Sequence, residues 1–197
     1  MIELKSHTSD PLEWIIDAAM GIYPRAKIDR EDPEDQKRLI QMCIRDGNLS
    51  VFTHASAKIV IECSYCAARE LMAVNNDVTV KTWEPSDRNN LSFITPQECL
   101  NDDKLKSIYT SLLRKVQSTV KEMIELGDDM DYHYILPGCV KTDIIISTSF
   151  LEFLKILKLI RYRQTSEEMK DICEEIYIQL NGVCSLVFNK ANLKYKI

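Results

Sequence analysis

Glycine is scarce: the 197-residue chain has five. That leaves no Gly-x-Gly-x-x-Gly turn and no P-loop, so neither of those backbone cradles for phosphate is available. Basic residues are not in excess, and the formal net charge is -5. A nucleic-acid partner needs a basic footprint, so none is expected, although a local basic pocket remains compatible with this balance. No apolar run approaches the ~20 residues that span a bilayer. Repeats, linkers and low-complexity stretches are missing as well. The opening MIELKSHTSD carries charges where a signal peptide needs an apolar core, which predicts a cytoplasmic protein with no membrane partner.

What is present fits a globular chain with a sizeable core: 45% hydrophobic, 28% charged and 8% aromatic residues. The expected organisation is one domain over residues 1–197. The seven cysteines are odd in number and scattered, as reduced thiols are. Cys63-x-x-Cys66 is a single CxxC without a second Cys/His pair at zinc spacing. Buried or half-buried thiols are the expectation, a redox pair is the alternative, and no metal site is assigned.

The pattern predicts helices more than strands. A first helix starts at Asp10-Pro11, carries Trp14, Ile15, Ala18, Ala19 and Ile22 as its apolar stripe, and stops at Pro24. A second starts at Asp32-Pro33, turns Leu39, Ile40 and Cys43 inward, and ends at Gly47. Residues 55–62 alternate as a strand with Ala57, Ile59 and Ile61 on one side. Ser64 can cap a short helix through Met72. Val78 and Val80 alternate as in a half-buried strand, and 84–90 is a polar loop. Thr95-Pro96 opens the next helical region, and a long amphipathic helix runs from about Asp102 to Leu126. Residues 132–146 read as strand-like or irregular, broken at Pro137-Gly138. A helix over 147–160 is apolar nearly all round, as a core or interface helix is. Thr165-Ser166-Glu167-Glu168 reads as a capping box opening the last long helix, which Gly182 closes. The fold class is α/β (α+β), helix-rich, with a small sheet.

One segment narrows this further. Ser50-Val51-Phe52-Thr53-His54 leads into the strand, and Ala68-Arg69-Glu70-Leu71-Met72 lies on the helix after it. This resembles the Ser-Pro-Phe-Glu-His turn and Ala-Arg-Gln helix of the flavin-dependent thymidylate synthases, the ThyX family. Ala18 to Tyr23, the stretch from Lys37 to Gly47, Leu91 to Pro96, His133 to Pro137, Ser147 to Leu157 and Thr165 to Met169 resemble further family segments. Most of the chain is covered. The resemblance implies a small curved sheet wrapped by helices, assembled as a homotetramer. It also implies an ancestral reaction, dUMP to dTMP, that uses FAD, NADPH and methylenetetrahydrofolate.

The family's ligand-holding residues are altered together. Ala73, Val74 and Asn75 stand where the family has Arg-His-Arg. Met20, His133, Thr148 and Leu157 stand at arginine positions, and Glu152 at a flavin-contacting asparagine. Arg161 or Arg163 is the nearest substitute for the arginine at 157. A dianionic phosphate and an ionised uracil need fixed cations, so these changes speak against the standard reaction.

By the same resemblance the substrate-binding candidates are Glu70, Ser86, Arg88 and His133. Reaching Ser86 needs a three-residue insertion, because strict spacing puts Trp83 there. His54 and Asn75 are the cofactor-side candidates. All but Asn75 have a structural alternative: a turn histidine bonded to backbone for His54, a solvated helix glutamate for Glu70, an ordinary polar loop for Ser86 and Arg88, and a structural histidine for His133. The reading is a divergent thymidylate-synthase-like protein of pyrimidine deoxynucleotide metabolism, with a pyrimidine deoxynucleotide as ligand. The alternative is a non-catalytic binding or regulatory subunit, in a homotetramer or in a mixed tetramer with an active synthase.

Overall fold

The computed structural model describes residues 1–74, 78–80, 91–126, 135–161 and 165–194. Its described elements, in chain order, are β1 (Ile2–His7), α1 (Pro11–Ile22), α2 (Pro33–Arg45), a 3-10 turn (Leu49–His54), β2 (Ser56–Ser64), α3 (Tyr65–Val74), β3 (Val78–Val80), α4 (Gln97–Leu100), α5 (Asp103–Leu126), β4 (Lys141–Ser149), α6 (Phe150–Leu157) and α7 (Glu167–Val183). A 3-10 turn over Lys158–Arg161 extends α6, and another covers Asn192–Lys194. The fold is helix-rich α+β, as the sequence predicts.

The sheet order is β1-β2-β4-β3, with antiparallel neighbours throughout. The long β2–β4 ladder runs from Ser56↔Ser149 to Ser64↔Lys141. Alternation buries one face: Ala57, Ile59, Ile61 and Cys63 lie with Thr142, Ile144, Ile146 and Thr148. The opposite face carries Lys58, Glu62, Lys141 and Asp143, half-buried or exposed. There Lys141 pairs with Glu62 at 2.7 Å.

The main core joins this buried face to Ile15, Ile16, Leu39, Ile40, Phe52, Phe150, Phe153, Leu154, Ile156 and Leu180. The rings of Phe150 and Phe188 meet edge to face, with centroids 4.8 Å apart. Sequence and structure agree on the inner face of α2, where Leu39, Ile40 and Cys43 are all buried. Asp32 caps α2 by accepting the Glu34 N–H at 3.2 Å, and Gly47 follows its end at φ +76°, a conformation glycine adopts without cost.

Several expectations need correction. β1 is absent from the sequence reading; it is an edge strand in which Ile2 and Leu4 alternate with charged residues. Ser147–Ser149 belong to β4, not to the helix after it. Thr148 points inward beside Ile146, so the strand period continues until Ser149 accepts the Glu152 N–H and α6 begins. Asp10 precedes α1 at φ 48° without a side-chain cap. Gly182 lies within α7, which runs on to Val183. Ser166, not Thr165, caps α7 by accepting from Met169 N–H at 3.2 Å, while Thr165 donates to the Leu159 carbonyl.

The largest difference concerns α5. Its period places Tyr109, Leu113, Val116, Val120, Met123 and Ile124 on a helical face, as expected. Val120 with Val116, Met123 and Ile124 packs into a small second cluster with Leu91, Phe93 and Leu136. Leu105, Ile108 and Leu112, which follow the same helical spacing, are 46%, 59% and 54% exposed. The 24-residue helix is about 36 Å long. It shows this apolar flank to the outside.

Candidate functional site

The 3-10 turn Leu49–His54 is built to hold its place. Val51 and Phe52 are buried under α1 and the start of α6. The Tyr23 hydroxyl donates to Asp46 at 2.8 Å and accepts from Asn48 at 2.8 Å. Arg45 donates to the same carboxylate at 2.8 Å. Burial raises the Tyr23 phenol, and the hydrogen bond from Arg45 lowers Asp46. The turn therefore starts from a braced corner.

It ends at His54, which is exposed. The next residue, Ala55, accepts from Phe150 N–H at 2.8 Å, so His54 sits at the end of the β2–β4 ladder beside the first turn of α6. His54 makes no hydrogen bond or ion pair among the described residues, so its expected alternative as a backbone-bonded turn histidine has no described partner. In that first turn Glu152 is paired with Lys155 at 2.6 Å.

Helix α3 begins where β2 stops. Ser64 caps it, as the sequence predicts, by accepting the Ala67 N–H at 3.1 Å. Ala67, Ala68 and Leu71 turn inward, against α6 and α7. Tyr65, Arg69, Met72 and Val74 face out, and Glu70 is half-buried on the side of α7. Burial, with the Glu70 charge added, pushes the Cys173 thiol up to about 12. Asn75, Ser86, Arg88, His133, Trp83 and Arg163 lie outside the described residues. Of the six site candidates, His54 and Glu70 are described; no hydrogen bond joins them.

The positions of the altered arginines are informative. Leu157 is 1% exposed and Thr148 is 6% exposed. Met20 is half-buried against the same core. Leu157 and Met20 pack with the core, and Thr148 lies on the buried face of the sheet. A flavin diphosphate held by arginines at positions 20, 148 and 157 does not fit these residues, because methionine, threonine and leucine side chains stand there without a charge. Among the described residues no group of three His, Cys, Asp or Glu side chains is placed to hold a metal ion.

The CxxC resolves into two unlike thiols. Cys63 is buried and pushed up to about 12, chiefly by desolvation. Cys66 is exposed, and a Cβ at Gly138 would collide with its Sγ, so a larger residue there requires the Cys66 side chain to turn away. Sequence reasoning assigned Glu168 to a local capping box and missed its role at the α3 N-terminus, where it accepts the Ser64 N–H at 2.7 Å. Its only trace in the sequence is an α3 cap without an acidic residue three places on. No helix among the described residues is long and apolar enough to cross a membrane.

Comparison with known proteins agrees with this scaffold. A family model described as "Thymidylate synthase complementing protein" matches residues 3–184. A flavin-dependent thymidylate synthase of Pyrococcus furiosus is 24% identical, over 87% of this chain and 75% of that protein. Its counterpart in Thermococcus onnurineus is 22% identical, over 87% and 74%. The crystal structure of thymidylate synthase X from Helicobacter pylori with FAD and dUMP superposes with a TM-score of 0.75 at 17% identity, covering 99% of this chain and all of that one. At that identity the superposition speaks for the fold.

Proposed function

The chain belongs to the thymidylate synthase complementing protein family, and from that premise we propose that it is a divergent member of pyrimidine deoxynucleotide metabolism that does not perform the family's flavin-dependent methylation of dUMP. The whole of 1–197 acts as one unit in this reading. Its ligand is a pyrimidine deoxynucleotide held against α3, with Glu70 and, by the resemblance, Ser86, Arg88 and His133 as its binding residues. By the same resemblance His54 and Asn75 are the cofactor-side candidates.

The observation that carries the reading is the burial of Leu157 and Thr148. At places where the resemblance calls for arginine, this chain completes its core. Each charge-assisted hydrogen bond to an anion contributes roughly 1.5–3 kcal/mol, so two lost arginines weaken phosphate or flavin binding by roughly two to four decades. A carboxylate at Glu70 repels phosphate yet accepts from the amino group of a base such as cytosine.

A second reading, a non-catalytic subunit in a mixed tetramer, is supported by one further observation. The exposed Leu105, Ile108 and Leu112 flank of α5 is an apolar strip of the sort that an assembly buries. In a homotetramer every site repeats the same losses, whereas a motif-intact partner chain supplies arginines from across a shared site.

Complementation of a thymidine-requiring strain tests the main reading. Expression of this chain is expected not to relieve the requirement, while calorimetric titration of the purified protein with pyrimidine deoxynucleotides shows binding. Growth without thymidine refutes it, and so does the absence of binding by both dUMP and dCMP. Co-purification with a motif-intact synthase, in a host that encodes one, selects the second reading.

A further inference from the structure

The first turn of α3 is closed by two hydrogen bonds of different origin. Ser64 Oγ accepts the Ala67 N–H at 3.1 Å. The Ser64 N–H itself donates to Glu168 Oε1 at 2.7 Å, across 104 residues of sequence. In a capping box both bonds come from one helix: the cap hydroxyl takes the N–H three residues on, and an acidic side chain there takes the cap's own N–H. Ala67 holds that acidic position in α3 and has nothing to offer. Glu168, in the first turn of α7, supplies the missing half. α7 leaves this carboxylate free for the task, because its own cap bond is made by Ser166 to Met169. One carboxylate thus lies at two helix N-termini, where the aligned peptide dipoles favour negative charge.

The surroundings tie in a third segment. Tyr109 of α5 donates to the Ile94 carbonyl at 2.8 Å, and the charge of Glu168 reaches both its phenol and the Cys63 thiol. Arg69 and Glu70 follow about one turn beyond this anchor.

We propose that Glu168 is the positioning residue of α3: a capping box split between two helices fixes where α3 starts, and through α3 it places Glu70 and Arg69 toward the ligand. This rests on the reading of α3 as a ligand-facing helix. Its consequence is that α7 and the ligand side of α3 move as one body, although they are distant in sequence.

The test uses the full-length chain with Glu168→Ala, Glu168→Gln and Glu168→Asp. Amide hydrogen exchange over 64–74 is read against the α2 amides, and dUMP and dCMP are titrated calorimetrically. Losing the shared cap is expected to raise exchange in α3 about tenfold in the Ala variant, with α2 unchanged. The Asp variant, which keeps the charge but withdraws it from Ser64, behaves like Ala and serves where Ala does not fold. The Gln variant keeps an acceptor and stays within about threefold of the parent. Nucleotide affinity follows the same order. Unchanged exchange in α3, an equal rise in α2, or a Gln variant no better than Ala overturns the proposal. If the parent chain binds neither nucleotide, the functional reading fails while the exchange arm still decides the role of Glu168.

Discussion

The Tyr23 hydroxyl sits between Asp46 and Asn48, 2.8 Å from each, donating to the first and accepting from the second. It joins the end of α1 to the end of α2 and so braces the turn that presents His54. Removing the hydroxyl with Tyr23→Phe takes away the Asn48 amide's acceptor and one of the donors to Asp46. The expected loss is about 1 kcal/mol, or roughly 2–4 °C in melting temperature for a chain of this size. Thermal unfolding by circular dichroism reads it, and an unchanged midpoint contradicts the bracing role.

Restoring an arginine should not restore function. Leu157→Arg places an unpaired charge among Phe153, Leu154 and the buried face of α7. Such a burial costs more than about 3 kcal/mol. The expected outcome is a destabilised or insoluble protein, seen as a lower urea midpoint. A stable Leu157→Arg variant that gains flavin contradicts the claim that this position belongs to the core.

Alkaline pH should weaken the fold through four thiols. Burial pushes Cys63 and Cys173 up to about 12, and Cys43 and Cys184 to about 11. The unfolded chain releases these protons near pH 8.5 while the folded chain keeps them. Stability is therefore fully present below that pH and falls as pH rises toward 11–12. Urea midpoints at neutral pH and at about pH 10 check the sign. Cys63→Ala is expected to flatten the slope, and a midpoint that rises with pH contradicts the account.

The exposed flank of α5 predicts association. Ile108→Glu with Leu112→Glu is expected to shift the sedimentation profile to a smaller species with little change in helix content. A parent chain that already sediments as a monomer at tens of micromolar, or a double variant with an unchanged profile, removes the case for this face as an interface.

Glu70 sets base preference in the proposed site. Glu70→Gln gives up a carboxylate that accepts from an amino-bearing base and no longer repels phosphate. It should move preference from dCMP toward dUMP by about tenfold, one charged hydrogen bond's worth. Competitive calorimetry measures the ratio, and an unmoved ratio takes Glu70 out of the site.

Local chemistry accounts for the elements that were legible from the sequence. Asp32-Pro33 with Gly47 delimited α2, the alternation of Ala57, Ile59 and Ile61 gave β2, and Ser64 gave the α3 cap. β1 escaped because two apolar residues among charges at an edge strand make no contrast with a solvated segment. The start of α6 was misplaced because no breaker separates Ser147–Ser149 from Phe150, so strand and helix periods merge. On α5 the period marks an apolar arc but not what covers it, and Leu105, Ile108 and Leu112 turned out to lie outside the core. Glu168 was read as a local cap because sequence proximity is the only neighbourhood a sequence displays. At the site, His54 and Glu70 were legible by resemblance alone. The burial that turned positions 148 and 157 into core became visible only with the packing.

The central claim is that this scaffold no longer holds flavin in the family's manner. The most direct measurement is the visible spectrum of the purified chain after incubation with FAD and dUMP and removal of unbound cofactor by gel filtration. The predicted result is a protein peak without a flavin band. A peak that carries flavin in proportion to protein would contradict the account.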